Sequence, residues 1–194
     1  MTGVIFLVRH GETEWNLARR YQGWGDSPLT ARGVGQAEAI GLRLRSLPEA
    51  EGAPVVASPL GRARRTAELI QAARGDPRPV ALDERLKEIS IGDWDGLDRD
   101  EIAARSPGIC ERFDYGEWYF RCPGGETYDD LAGRLAAWLG EPRNGAWIVI
   151  AHGIVTRVLR GLYARLPRAE ALRLPVPQDA IWRLADGRIT DIAV

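Results

Sequence analysis

Two histidines stand out in this chain as residues that could do chemistry, because they are the only two among 194 residues. His10 lies in "LVRHGETEWN" and His152 lies in "WIVIAHGIVTR". Each follows an apolar run, each precedes a glycine, and Arg9 stands directly before the first. A lone histidine after a strand is more often a structural residue, but two in matching positions indicate a shared site.

The residues around His10 suit a phosphoryl group, which carries about two negative charges near neutral pH. Arg9 and Arg62 are candidate ligands, because the arginine fork matches phosphate oxygens. A nearby cation lowers the pKa of a histidine and so favours the neutral imidazole, whose lone pair can attack phosphorus. The glycine after each histidine leaves room for close backbone approach. A phosphohistidine would divide one difficult displacement into two easier ones.

A leaving alkoxide also needs a proton donor, and Glu88 in "RLKEISIGDWDG" is a candidate. It follows a predicted strand and precedes a turn. The chain contains 27 acidic residues, so the residues alone leave this choice open.

Three segments must position these side chains, and each joins a short apolar run to a polar residue and a helical stretch. They are "GVIFLVRHGETEWN", "APVVASPLGRARRTAELIQAA" and "AWIVIAHGIVTRVLRGLY". Such runs are typical of a parallel sheet covered on both faces, and ligands bind beyond the carboxyl ends of its strands. We therefore expect one crevice to contain Arg9, His10, Ser58, Arg62 and His152.

Further segments predict an α/β protein with a mixed, mostly parallel sheet. "PVALDERL" is a weaker strand, and "AIWRLADGRITDIAV" predicts a hairpin that turns at Asp186 and Gly187. Helices are predicted over 30–47 and 61–73, although three glycines weaken the first. A capping box at Thr127 begins another helix. The aromatic, aperiodic stretch at about 105–125 is long for a connection and predicts a lid-like excursion.

Composition predicts one cytoplasmic domain over residues 1–194. The net charge of −1 provides no basic field for nucleic acid or an anionic membrane, and the N-terminal apolar run is too short for a signal or a membrane span. Cys110 and Cys122 show neither redox nor zinc spacing, so idle thiols are favoured and a disulfide stays open. "GVGQAEAIG" follows no strand, which argues against a dinucleotide loop.

The ordered motifs resemble the histidine phosphatase superfamily, the phosphoglycerate mutase-like proteins. They are "LVRHGETEWN", "RYQGWGDSPLTARGVGQA", "ASPLGRARRTAE", "LKEISIGDWDG", "PGGET" and "IAHGIVTR", and they span nearly the whole chain. The resemblance implies a three-layer α/β/α sandwich that needs neither a metal nor a cofactor. It implies catalytic roles for His10 as nucleophile, Glu88 as proton donor, and His152. It implies phosphate-binding or site-lining roles for Arg9, Asn16, Gln22, Gly23, Arg62 and Gly153.

The same pocket could serve a phosphatase or a mutase, and the sequence favours a phosphatase of a small phosphorylated metabolite. The region after "GDWDG" is compact, whereas the mutases of the family are longer there. Trp118, Tyr119 and Phe120 dominate the excursion and suit an ester with an apolar part. Ala151 stands where the family more often has serine, which tempers inference about the substrate. A cofactor-dependent mutase is the alternative, a binding protein without turnover is less favoured, and the excursion could equally serve a homodimer.

Overall fold

The computed structural model describes residues 3–113 and 116–194, with the side chain of Cys110 outside that description. A six-stranded sheet forms the middle of the molecule, in the spatial order β3-β2-β4-β1-β5-β6. The strands are β1 Val4–Arg9, β2 Val55–Ala57, β3 Ala81–Leu82, β4 Ala146–Ala151, β5 Ala180–Ala185 and β6 Arg188–Ala193. The first four are parallel, and β5 and β6 add antiparallel pairs. The mixed, mostly parallel sheet is confirmed.

The described residues form eight α-helices around or after the sheet. They are α1 Glu14–Leu17, α2 Ala31–Arg45, α3 Gly61–Arg74, α4 Arg99–Arg105, α5 Ile109–Arg112, α6 Tyr128–Gly140, α7 Gly153–Ala164 and α8 Arg168–Arg173. Short 3₁₀ helices lie at Pro48–Ala50, Glu84–Leu86, Gly92–Trp94 and Glu117–Arg121.

The alternation of side chains along β1 builds two apolar layers. Phe6 and Val8 pack with the buried residues of α2 and α3, while Ile5 and Leu7 pack with those of α6 and α7 on the opposite face. Successive strand residues point to opposite faces, so a continuous apolar run buries both. This arrangement is the predicted three-layer α/β/α sandwich.

Local sequence signals account for several element boundaries. Asp186 and Gly187 both have positive φ, at 50° and 72°, as a tight hairpin turn requires. Thr127 forms the predicted capping box with Asp130. Gly41, which weakens the prediction of α2, is needed there, because a Cβ would lie 2.8 Å from the backbone oxygen of Ile70 in α3.

The weakest predicted strand is also the shortest one observed. β3 contains only two residues, both exposed, at the edge of the sheet. The chain then turns at Asp83, whose carboxylate accepts a hydrogen bond from the Arg85 backbone. The last three residues of "PVALDERL", Glu84–Leu86, therefore form a 3₁₀ helix that leads towards Glu88.

Candidate active site

The pairing of β1 with β4 brings the two histidines together. Arg9 is in register with Ala151, and the His10 backbone N–H donates to the Ala151 carbonyl at 3.0 Å. The two imidazole rings lie 5.2 Å apart between centroids. Since His10 and His152 are 3% and 0% exposed, they form one buried pair at the carboxyl edge of the sheet.

Hydrogen bonding determines which nitrogen of His10 is free. Its Nδ1 lies 2.8 Å from the Gly11 carbonyl, which can only accept, so Nδ1 carries the proton and Nε2 keeps its lone pair. Burial holds the pKa of His10 well below 6.5, and the charges of Arg62 and then Arg9 lower it further. The sequence predicted a neutral His10 because of the charge of Arg9. In the structure, burial and the charge of Arg62 lower the pKa of His10 more than Arg9 does.

Arg62, in the first turn of α3, is fixed by the loop between α1 and α2. Its Nη1 and Nη2 donate to the carbonyls of Gly25 and Gly23, each at 2.7 Å, and Nη1 also lies 3.1 Å from the Asp26 carboxylate. Arg9 donates from Nη1 to the Val176 carbonyl at 2.8 Å. In both arginines, part of the fork that was expected to face a phosphate already binds the protein.

Several buried side-chain nitrogens in the described part of the site have no hydrogen-bond partner, which indicates a binding site for an anion. Among the residues that the structure describes, five buried side-chain nitrogens lack a hydrogen-bond partner. Four of them are Arg9 Nε, Arg62 Nε, and Nδ1 and Nε2 of His152. A buried polar atom without a partner costs about 1–3 kcal/mol. A bound phosphoryl group would accept from Arg9 Nε, from Arg62 Nε and from the one nitrogen of the neutral His152 ring that carries a proton.

Glu88 lies at the N-terminus of α7. Its Oε2 accepts a hydrogen bond from the Ile154 backbone at 3.1 Å, and its Oε1 accepts from Val155 at 3.3 Å and from Ile89 at 3.0 Å. The carboxylate is thereby fixed beside the first turn of the helix that follows His152.

The two glycines that follow the histidines serve different purposes. A Cβ on Gly153 would lie 3.7 Å from both Arg9 Nε and Glu88 Oε2, so this glycine keeps open the space between arginine and acid. A Cβ on Gly11 would lie 2.3 Å from the Gly33 carbonyl, so Gly11 permits close packing against α2. The sequence predicted that both glycines leave room for close approach to the backbone. Only Gly153 does so at the site, whereas Gly11 does so against α2.

Three predicted site residues precede α2. Asn16 faces the cavity, and its Oδ1 accepts from the Thr13 backbone at 3.3 Å. Gln22 also lines the cavity and bonds Thr13 and Ser27 at 2.9 and 2.7 Å. Gly23 is not among the lining residues. Its N–H donates to an Asp95 carboxylate oxygen at 2.9 Å and its carbonyl binds Arg62, so it contributes by holding that arginine.

A cavity of about 380 Å³ opens in front of His10. Its lining residues are Arg9, His10, Asn16, Arg19, Arg20, Tyr21, Gln22, Glu88, Ile89, Ile91, Tyr119, Gly153, Ile154, Arg157 and Val176. His152 and Arg62 lie behind this surface, buried next to His10. Ser58, which was expected in the same crevice, does not line the cavity. Its Oγ accepts a hydrogen bond from the Leu60 backbone N–H just before α3.

A loop missed by the sequence prediction closes one side of the cavity. Three arginines donate to three successive carbonyls: Arg157 to Leu174 at 2.8 Å, Arg160 to Pro175 at 2.5 Å, and Arg9 to Val176 at 2.8 Å. The same loop places Gln178 against Asn16. Arg157 follows Gly153 by four positions and therefore lies on the same face of α7. This spacing is the signal in the sequence that could have placed Arg157 at the cavity.

The excursion at about 105–125 contributes one described residue to the cavity, Tyr119, against which Trp118 stacks at 4.1 Å. Phe120 packs into the core, and residues 114 and 115 are outside the described part of the chain. Cys122 is a free, buried thiol, and burial raises its pKa. The lid remains a prediction.

Paired buried histidines and unsatisfied cationic donors at the carboxyl edge of a mixed sheet define a phosphoryl-transfer enzyme. Residues 5–186 match the family model described as histidine phosphatase superfamily (branch 1), and the chain belongs to that superfamily. No helix in the described ranges is both long and apolar enough to cross a membrane.

Named relatives include both kinds of activity. The chain is 36% identical over 184 residues to the probable phosphoglycerate mutase GpmB of Salmonella paratyphi C, covering 93% of this chain and 83% of the relative. The structure of YhfR from Bacillus stearothermophilus superposes with a TM-score of 0.84 at 30% identity, covering 99% and 96% of the two chains. Mycobacterial glucosyl-3-phosphoglycerate phosphatase, in complex with VO3, superposes with a TM-score of 0.76 at 30% identity, covering 98% and 96%.

Proposed function

We propose that the protein is a metal-independent phosphomonoester hydrolase that acts on a small phosphorylated metabolite through a phosphohistidine at His10. The observation that carries this proposal is the set of four unpartnered nitrogens next to the free Nε2 of His10. Arg9 Nε, Arg62 Nε and the protonated nitrogen of His152 can donate to the oxygens of a phosphoryl group held in line for attack. We expect no partner of nucleic acid or membrane type.

The proposed reaction has two displacements. His10 Nε2 forms a bond to phosphorus, the ester P–O bond breaks, and the leaving oxygen takes a proton from Glu88. Water then attacks phosphorus and gives a proton to Glu88, the P–N bond breaks, and inorganic phosphate leaves. Arg9, Arg62 and His152 stabilise the charge on the transferred group in both steps.

The size and lining of the cavity favour hydrolysis of a small ester. About 380 Å³ holds a phosphoryl group and a compact remainder. Tyr21, Ile91 and Tyr119 are among the lining residues and supply apolar surface for the remainder of the ester. The named phosphatase relative, at 30% identity, supports the same class of reaction.

A phosphoglycerate mutase is the second candidate, because a relative that is 36% identical bears that name. The two activities differ in whether water or a bound hydroxyl accepts the phosphoryl group from His10.

The test combines an aryl phosphate and 3-phosphoglycerate, the latter with bisphosphoglycerate present, in buffer containing a chelator. We expect hydrolysis of the aryl ester and little isomerisation. His10→Ala should abolish hydrolysis and the trapping of radiolabelled phosphate on the protein. Turnover retained by His10→Ala would refute the phosphohistidine, and isomerisation faster than hydrolysis would favour the mutase.

A further inference from the structure

One arginine outside the cavity grips the segment that carries Glu88. The guanidinium of Arg134, in α6, donates to the carbonyls of Arg85 at 2.5 Å and Lys87 at 2.7 Å through Nη1. Its Nη2 donates to the carbonyl of Glu88 itself at 3.1 Å. Three carbonyls within four residues are thus held by one rigid, planar group.

The same guanidinium is locked from its other side. Arg134 Nε lies 2.9 Å from Oε1 of Glu126, and Nη2 lies 3.0 Å from Oε2. Glu126 Oε2 also accepts from the Ser90 backbone at 2.8 Å. Both side chains are mostly buried, at 17% and 18% exposed, so the pair is shielded from competing water.

The segment needs such support because it has no regular secondary structure. Residues 87–91 connect two 3₁₀ helices, and no strand or helix ladder fixes their backbone. The Glu88 carbonyl receives a further hydrogen bond from Trp24 Nε1 at 2.9 Å. Small displacements here would move the carboxylate relative to the leaving oxygen.

We propose that Arg134 is a positioning residue for Glu88: with Glu126 it sets the place from which the carboxyl delivers its proton. The inference rests on the proposed hydrolase function. Arg134 does not line the cavity, so it acts through the backbone of residues 85–88 and not on the substrate.

The chain provides a matched control in Arg74 of α3. This arginine also binds two backbone carbonyls, of Ala50 at 2.9 Å and Ala53 at 3.3 Å, and two side chains, Gln71 at 2.9 Å and Asp76 at 3.7 Å. None of these residues lines the cavity. Arg74→Lys should therefore cost stability in the same manner as Arg134→Lys, without touching Glu88.

The experiment measures kcat/KM for an aryl ester, p-nitrophenyl phosphate, and for an alkyl ester, glycerol 2-phosphate. The constant kcat/KM reports the steps up to phosphohistidine formation, and the alkyl-to-aryl ratio of the two constants is the quantity compared between variants. A nitrophenolate leaves without protonation, whereas an alkoxide needs the acid. Misplacing the acid in Arg134→Lys should lower the alkyl value by about 100-fold and leave the aryl value nearly unchanged. Arg74→Lys should leave the alkyl-to-aryl ratio as in the wild type.

Glu88→Gln separates this proposal from the function on which it rests. Absence of hydrolysis of either ester by the wild type would overturn the hydrolase function. An unchanged ratio in Glu88→Gln would remove the acid role and the positioning role together. A shifted ratio in Glu88→Gln with an unchanged ratio in Arg134→Lys would overturn the positioning role alone.

Two further variants keep the test decisive if Arg134→Lys folds poorly. Glu126→Gln retains the guanidinium but weakens its anchor, and it should shift the ratio in the same direction by about tenfold. Adding Glu126→Gln to Glu88→Gln should shift the ratio no further, because the two changes act through one group. Two outcomes would contradict the proposal. One is a further shift of the alkyl-to-aryl ratio when Glu126→Gln is added to Glu88→Gln, and the other is an unchanged ratio in Glu126→Gln alone.

Discussion

Gln178 donates from Nε2 to Oδ1 of Asn16 at 2.9 Å, across 162 positions of sequence. The same Oδ1 accepts from the Thr13 backbone. Because both donors engage the oxygen, the Nδ2 end of Asn16 is the one available to a phosphate oxygen. The loop that follows α8 thus sets the orientation of a residue in the first motif.

Gln178→Ala should weaken phosphate binding without removing a catalytic group. Loss of one side-chain hydrogen bond costs about 0.5–1.5 kcal/mol, so KM for an aryl phosphate and the inhibition constant of vanadate should rise by about two- to thirteenfold. We expect kcat to change less than KM. Gln71→Ala, which removes a glutamine that binds Arg78 elsewhere, is the control for lost stability alone. If both variants have wild-type KM, Gln178 does not orient Asn16.

Asp95 should affect the site through Arg62. Its carboxylate accepts from the backbones of Gly23 at 2.9 Å and Gly25 at 2.5 Å, and the carbonyls of these two glycines hold the guanidinium of Arg62. In Asp95→Ala this loop loosens, and we expect KM for an aryl phosphate to rise by about tenfold.

The matched control for Asp95→Ala is Asp76→Ala, since Asp76 binds Arg78 and none of its partners lines the cavity. It should destabilise the fold in urea titrations without raising KM. A similar KM in the two variants would mean that Arg62 keeps its place without the Asp95 carboxylate.

The sequence was sufficient where function depends on strand order and local turns. Apolar runs that end in a histidine predicted the adjacency of His10 and His152, and the Asp186–Gly187 turn predicted the final hairpin. Ser58 shows the limit of this reasoning, because a polar residue at a strand end can satisfy the backbone locally, as it does with Leu60. The residue type and its place at a strand end do not show whether a polar side chain faces the site or binds the nearby backbone.

The supporting contacts could not be predicted in this way. Val176 and Gln178 reach the site on a loop whose carbonyls bind three arginines from β1 and α7. Arg134 meets residues 85–88 across more than forty positions. Such contacts depend on how packed layers meet in space, and no local period or spacing marks them in one sequence.

Gly153→Ala and Gly11→Ala should separate binding from stability. A methyl group at Gly153 makes ordinary contacts and favours the helix, but it covers the edge of Arg9 Nε that a phosphate would use. We expect unchanged or higher thermal stability and a loss in kcat/KM of about tenfold or more. A methyl group at Gly11 meets the Gly33 backbone at 2.3 Å and should destabilise the fold. Equal thermal destabilisation of both variants would show that Gly153 is also required for packing.

The buried histidine pair should make stability depend on pH. Burial, with added lowering from Arg62, holds the pKa of His10 and of His152 well below 6.5 in the folded protein. In the unfolded chain both histidines titrate at about 6.5. As pH falls below that value, the unfolded chain binds protons that the folded protein does not, so the free energy of unfolding decreases. The contribution is complete above about pH 7.5 and is lost on acidification.

Urea unfolding at pH 7.5 and 5.5 measures this effect. Each histidine should account for about 1.4 kcal/mol of the stability lost between the two pH values, provided that its folded form stays neutral. Acidic residues add their own pH dependence, so the informative quantity is the difference between the wild type and His152→Gln. Because glutamine does not titrate, this variant should lose about 1.4 kcal/mol less on acidification. An equal loss in both proteins would mean that His152 takes up a proton in the folded state, and the buried pair would then be cationic at the lower pH.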